Sequence, residues 1–516
     1  MLVDIRPDAK MRGEKAVDVV ASLGPVVEAL REDTVDLSRV RLVCDWIQYR
    51  NNFRTVVDAR PILSAEPPDG LLDDGNLAQT DEGDLAQTKA DHLELALDIR
   101  RCGELPGTDQ SGGLPLKELT ARVLREHADP AAQQRLALEP WQRTSGSLLW
   151  DFNALYWRAL ELWEEATGQR YEQALPGGES DARNRGAVRA MIGELFDLWD
   201  SLAARNALPD ELFVVELGVG NGNQAKVWLE EFARLDREHG TEYYRRLHYL
   251  MCDYSPHVLE RARTAVTEHG EHVSSLVLDA TQPMTALAFL RYKVFLVYIS
   301  NVYDNLPTDE ITQIGGRTYV VQSRAYLAAD DAQRLATSVG AQTSALPGLI
   351  GKLLKLGPAM LAEAAPAHLR DAAAAVEFWR STWDALRLAE RYVPLTDLDL
   401  YLVAPTVSGE TVRPLLENSA GIRMQVSNGA AASFVSTLPL LHPFGRLVCH
   451  DLFVTDVQAF RTGFRGPGKY DGSVVNWVNG PLLAYIGRRK GFDVSYAPFA
   501  HRTGTNIVTM TAQVRE

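Results

Sequence analysis

Apolar positions along this chain fall into two rhythms, and their alternation predicts an α/β fold. Short apolar runs rich in β-branched and aromatic residues stand at 212–215, 248–252, 275–278 and 293–299, each bounded by acids or turn residues. Runs of that length read as buried strands. Between them, 224–232 and 258–266 carry apolar residues three and four apart, the spacing of a helix face. Strands alternating with helices predict a doubly wound, mostly parallel sheet, because parallel neighbours need a crossover segment.

The same rhythms continue outward. Residues 187–203 predict a helix beside the first strand; 426–441 and 480–489 predict two more, with a strand at 445–453 and a closing strand pair at 492–496 and 506–511. A strand is also predicted at 319–322, and after it the pattern turns helical: 344–364 is amphipathic, and 368–392 sets Val376, Trp379, Trp383 and Leu386 on one face. Residues 324–425 are therefore expected to be a helical insertion, either a lid over the carboxyl ends of the strands or an accessory layer. Helical spacing at 17–30 and 148–166 predicts a mainly helical amino-terminal domain over 1–185. Within it, 61–91 is acidic and rich in Gly, Pro and Asp, with Leu-Ala-Gln-Thr at 77–80 and again at 85–88, and reads as an exposed loop. The sheet domain is then divided into 186–323 and 426–516.

Chemistry gathers where the strands end. The first strand runs into Glu216, and Gly218, Gly220 and Gly222 follow at alternate positions with Asn221 between them. A strand, a glycine-rich turn and a helix form a nucleotide-type site, where the backbone comes close to a ligand. The dinucleotide fingerprint requires G-x-G-x-x-G; here the position reserved for its last glycine is Asn223. The second strand ends at Asp253, followed by Tyr254-Ser255-Pro256, and an acid there can accept from both hydroxyls of a ribose. The third ends at Asp279-Ala280, and the fourth runs into Ser300-Asn301-Val302-Tyr303-Asp304-Asn305-Leu306-Pro307.

The E-x-G-x-G-x-G turn resembles motif I of class I S-adenosylmethionine (AdoMet) methyltransferases, and the run from Glu216 to Pro307 is similar to that superfamily. The resemblance implies a seven-stranded, mostly parallel sheet with an antiparallel last strand, and AdoMet as cofactor. Glu216 would then meet the methionine amino group, Asp253 the ribose, and Asp279 and Ala280 the adenine. Gly218, Gly220, Asn221, Gly222, Tyr254 and Asn301 would line the same site. The closing strand pair belongs to this fold and is foreign to a plain dinucleotide fold. Asp253-Tyr254-Ser255-Pro256 and the Asn301–Pro307 run are also similar to elements of the MidA-like group, some of whose members methylate protein arginine. That group has Glu where this chain has Val302.

Composition narrows the partners. The chain has 516 residues, 46% hydrophobic and 23% charged, enough for more than one domain. Its formal net charge of −15 disfavours a nucleic-acid partner, whose phosphates demand a basic face. No apolar run approaches the ~20 residues of a membrane span. The four cysteines, Cys44, Cys102, Cys252 and Cys449, form no C-x-x-C pair and read as thiols of a reducing compartment, so a cytoplasmic enzyme without a metal is expected.

Methyl transfer mainly requires holding a nucleophile in line; a general base is needed only for a protonated acceptor. Asp304 and Tyr303 after the fourth strand, His450 and Asp451 after the fifth, and His501 between the last two are the candidates. Asp304 could alternatively cap a helix beginning near Thr308. The expected activity is methylation of an O or N atom of a small molecule or protein side chain. The rivals are an AdoMet-binding assembly factor and a nicotinamide oxidoreductase.

Overall fold

The computed structural model of the chain describes residues 2–6, 19–32, 36–45, 51–65, 90–102, 116–129, 134–171, 184–417, 421–461 and 466–515. Two sheets organise them. The first holds β1 (Leu212–Leu217), β2 (Leu247–Asp253), β3 (Val273–Val277), β4 (Val294–Ser300), β5 (Leu441–Asp451), β6 (Phe492–Pro498) and β7 (Val508–Val514). Their order is β3-β2-β1-β4-β5-β7-β6. The first five strands run parallel to their neighbours, and β7 is antiparallel to both β5 and β6.

Alternation along each strand explains the two-faced burial. Val214, Tyr249 and Leu296 point into one core with Trp199, Trp228 and Phe232 from helices Arg185–Ala203 and Asn223–His239. Val215, Leu250 and Val297 point the other way, into a core with Phe434, Leu482 and Ile486 from helices Asn428–Thr437 and Gly480–Arg489. The order reverses direction at β1/β4, and the carboxyl ends of these strands open a crevice there, the usual ligand position in such sheets.

The remaining chain departs from the expected helical domain and helical insertion. Strands Leu2–Arg6, Val40–Asp45, Val57–Leu63 and Ala90–Asp98 come from the amino-terminal region. They join Glu310–Ile314, Arg317–Ala328, Arg387–Pro394 and Arg423–Gln425 in a ten-stranded mixed sheet, completed by Arg135–Ala137 and Gln142–Arg143. Described strands of 1–185, of 310–328 and of 387–425 thus share one sheet. The strand expected at 319–322 belongs to this second sheet, so the chain leaves the first sheet just after β4. The helix read over 368–392 stops at Ala385, and Arg387–Pro394 is a strand. The tetrads at 77–80 and 85–88 lie outside the described residues.

Buried ion pairs explain why periodicity missed these strands. Arg60 donates to Glu94 at 2.9 Å, Arg54 to Glu390 at 2.8 Å and Arg423 Nε to Glu310 at 2.9 Å, all buried. Charges at inward positions erase the apolar alternation that marks a strand, and inside a protein they persist only when paired in this way.

Candidate active site

Three glycines at positive φ build the turn after β1 (76°, 57° and 79° at Gly218, Gly220 and Gly222), and they do different work. A Cβ on Gly218 would overlap Val302 Cγ2, so this glycine admits the β4 loop. A Cβ on Gly222 would come within 2.6 Å of the Ala262 backbone, so Gly222 serves the packing of helix Pro256–Ala265. Gly220 is the one with space: its nearest neighbour would be the Tyr171 hydroxyl at 3.6 Å. Its N–H donates to Asp253 Oδ2 at 3.2 Å, which ties the turn to the end of β2.

The strand-end groups converge on one cavity of about 850 Å³. Glu216 is buried and accepts a hydrogen bond from the Tyr249 hydroxyl at 2.6 Å. Burial, and then the Asp253 carboxylate, push its carboxyl up to about 8 against that hydrogen bond. Asp253 is also raised by burial, while its Oδ1 accepts the Ser255 N–H at 3.1 Å. Ser255 caps helix Pro256–Ala265 and Pro256 occupies its first turn, so the acid-x-Ser-Pro element is a helix-start device beside the site. Asp279 forms a tight turn, accepting the Thr281 N–H at 2.8 Å. Asn301 follows β4 at φ 51°, a conformation Asn adopts more readily than most residues. Glu216, Asp253, Asp279 and Asn301 line the cavity, with Gly218, Gly220, Asn221, Tyr254 and Ala280; the lining does not include Gly222.

A second wall faces them. Trp150, Asn153 and Trp157 come from helix Leu149–Arg158, and Tyr470, Asp471 and Trp477 from the segment around hairpin Gly468–Val475. Polar contacts seat this wall on the first sheet. Asn153 donates to the Asn305 carbonyl at 2.8 Å and accepts the Val474 N–H at 2.8 Å. The Tyr254 hydroxyl donates to the Ala154 carbonyl at 2.6 Å, and Trp157 Nε1 donates to Asn305 Oδ1 at 3.3 Å. Asp471, at φ 50°, accepts from the Tyr156 hydroxyl at 2.9 Å and from Trp163 Nε1 at 3.1 Å. No residue of 324–425 lines the cavity among the described residues. Trp379 and Trp383 pack behind Phe152 and Trp163 as an accessory layer, the second of the two alternatives for this insertion, and the cover comes from helix Leu149–Arg158.

The candidates for acid–base work separate. Asp304 is buried, lines the cavity and accepts from Asn305 Nδ2 at 2.6 Å. Asp451, fully buried, accepts the N–H groups of Tyr303 at 2.8 Å, Val302 at 3.1 Å and Leu452 at 2.7 Å. Burial, and then the Asp451 carboxyl, hold Asp304 well above the ordinary range; Asp451 rises to about 6 through burial. Backbone donors favour the charge on Asp451 and leave the proton with Asp304. Tyr303, by contrast, points into the core. His450 turns toward β7, with Nδ1 3.0 Å from Thr509 Oγ1 and its ring edge-on to Phe499. His501 also packs against Phe499, with ring centroids 5.7 Å apart. None of these three lines the cavity. The helix expected near Thr308 is a strand beginning at Glu310, and Thr308 Oγ1 instead accepts the Ser427 N–H at 2.7 Å. Sequence reading missed Gln224, Asn305 and Asp471 as lining residues; their only signals were proximity to the glycine turn and to the β4 loop, and for Asp471 there was none.

Strand order, the antiparallel β7 and the glycine turn after β1 are those of the class I methyltransferase sheet. The chain has that fold. No protein-family model and no curated protein matches the sequence. Solved structures similar to it include an uncharacterized protein from Burkholderia thailandensis, at 13% identity and TM-score 0.40, covering 77% of this chain and 91% of that one. Another, of the same superfamily and organism and bound to S-adenosyl-homocysteine, shares 12% identity at TM-score 0.41, covering 77% and 92%. The DszA carbon methyltransferase shares 11% identity at TM-score 0.32, covering 99% and 94%.

Proposed function

We propose that this chain is an AdoMet-dependent methyltransferase acting on an O or N atom of a small molecule or of a side chain that reaches into the cavity. One observation carries the reading: a single cavity is lined by the carboxyl-end groups of β1 to β4 on one side and by an aromatic and carboxyl wall on the other. Its volume of about 850 Å³ lies in the upper part of the range of ligand pockets, room for a cofactor and an acceptor together.

The residues present suit AdoMet. Glu216 offers an acid for its ammonium, Asp253 an acid for its ribose hydroxyls, and the turn at Asp279-Ala280 a rim for its adenine. When bound, AdoMet supplies an activated methyl group on a sulfonium. The chain supplies position and dryness: Trp150, Trp157 and Leu452 exclude water from the acceptor half, and Asp304, which carries the proton of the Asp304–Asp451 pair, offers it there as a hydrogen-bond donor. Asp451 acts through Asp304 and through the backbone of the β4 loop.

The reading is tested by incubating the protein with methyl-labelled AdoMet and a panel of phenols, carboxylic acids, amines and peptides. Label transfer to one class, lost in Asp304→Asn, supports it. Tight AdoMet binding with no transfer to any class would favour an AdoMet-binding assembly factor instead.

A further inference from the structure

Gln224 is a polar side chain of the cavity with neither of its amide atoms paired. It sits in the first turn of helix Asn223–His239, is 7% exposed, and lines the cavity beside the glycine turn. Both its amide nitrogen and its amide oxygen are buried without a hydrogen-bond partner. Buried amides are paired as a rule, and an orphan is costly. Neighbouring positions on the same helix are treated otherwise: Ala225, Trp228 and Leu229 are apolar and join the core. A leucine at 224 would spare the protein the penalty. The position holds an amide with a free donor and a free acceptor, both in the wall of a ligand cavity.

We propose that Gln224 recognises a zwitterionic α-amino-acid head, its NH₂ donating to the carboxylate and its carbonyl accepting from the ammonium. Resting on the methyltransferase reading, this assigns Gln224 to the methionine end of AdoMet. The location supports the end chosen. Gln224 and Glu216 stand at the two ends of the turn after β1, whereas Asp253 and Asp279, suited to the nucleoside, close the next two strands, β2 and β3. Glu216 can serve only the ammonium, so a group that donates to the carboxylate is still needed, and the arginines of the lining are committed elsewhere. Arg261 lies 3.7 Å from Glu164 in the covering helices, and Arg502 belongs to the β6–β7 loop. The amide completes the pair of contacts that an amino-acid head requires.

The test compares two probes on the full chain by calorimetry. S-adenosylhomocysteine carries the amino-acid head; 5′-methylthioadenosine has the nucleoside and thioether without it. Gln224→Leu keeps the volume and removes both amide atoms. It is expected to weaken S-adenosylhomocysteine about 10- to 100-fold, the size of hydrogen bonds to charged groups. Methylthioadenosine affinity stays within about twofold, and the melting temperature without ligand holds or rises because the orphan is gone. Unchanged binding of S-adenosylhomocysteine, or equal loss for both probes, would overturn the assignment while leaving the methyltransferase reading intact. If the wild-type protein binds neither probe, that reading falls and takes the assignment with it. Gln224→Met is measured in parallel; failure of both variants to fold would mean that the amide serves the structure, which also overturns the proposal.

Discussion

Glu216 makes a prediction whose size follows from its surroundings. Its carboxyl is buried at the end of β1 and pushed up to about 8, so the ligand-free protein carries it mostly neutral at pH 7. An ammonium group delivered beside it requires the carboxylate, so AdoMet binding must expel the proton. With a free-protein value of about 8, roughly nine-tenths of a proton is released per site at pH 7. The observed affinity then lies about 11-fold below its ceiling at pH 7 and about 100-fold below it at pH 6, a rise of roughly tenfold across that unit. The measurement is calorimetric titration with AdoMet between pH 6 and 7.5, in buffers of different ionisation enthalpy, so that released protons are counted directly. Glu216→Gln can keep the Tyr249 hydrogen bond but cannot titrate, and its affinity should be low and flat across the window.

The same carboxyl affects stability with a definite sign. The folded state holds this proton more tightly than the unfolded chain, whose carboxyl titrates near 4.5. The unfolded state therefore releases it first, and Glu216 lowers stability progressively as pH rises from about 4.5 to about 8. A gap of about 3.5 units corresponds to roughly 5 kcal/mol over that range, an order of magnitude. Glu216→Gln should accordingly gain on the wild type in denaturation midpoints as pH rises. Proton release near zero at pH 7, with an affinity indifferent to pH, would refute the reasoning: Glu216 would then be either ionised before binding or remote from the ammonium.

Three further outcomes follow from the geometry. Gly222→Ala forces a side chain at φ 79° onto the Ala262 backbone, and should cost about 2–4 kcal/mol in chemical denaturation; Gly220→Ala, with open space beside it, should cost less. The Asp304–Asp451 pair should contribute a carboxylic-acid C=O band in the infrared at neutral pH, seen as a loss in the difference spectrum between the protein and Asp304→Asn; a difference spectrum with no loss in that region would contradict a proton on Asp304. Asn153→Ala removes one bridge from the cover to the β4 loop and one to hairpin Gly468–Val475, and should speed hydrogen exchange in helix Leu149–Arg158 while leaving methylthioadenosine affinity within about threefold. Unchanged exchange would show that the remaining contacts, Trp157 to Asn305 and Tyr254 to Ala154 among them, hold the cover.

The centre of the first sheet was legible because β1, β2 and β4 are largely apolar, as parallel strands covered on both faces are. The runs 212–215 and 248–252 lie within strands, 293–299 overlaps Val294–Ser300, and helix Gly480–Arg489 has the bounds its sequence predicts. The strand-end carboxylates were legible for the same reason, since a polar residue closing an apolar run stands out. Elsewhere local pattern gave way to tertiary pairing. Arg60, Glu94 and Glu390 occupy buried positions that only a partner far along the chain makes tolerable, so the first two strands carried no strand pattern and the third was read as the end of a helix. His450 and His501 were attractive by residue type, but β5 directs one toward β7 and the β6–β7 loop keeps the other outside the cavity. Lid and accessory layer stayed open alternatives for 324–425 because helix periodicity records that a face is buried and says nothing of what it faces. Gln224 was invisible for a related reason: its significance lies in the hydrogen bonds it lacks.

Calorimetric titration of the purified protein with AdoMet and, separately, with NAD tests the central claim most directly. The account predicts one saturable AdoMet site per chain, weakened at least tenfold by Asp253→Ala, and no NAD binding. A folded protein that binds NAD, or that fails to bind AdoMet at any pH between 6 and 8, would contradict it.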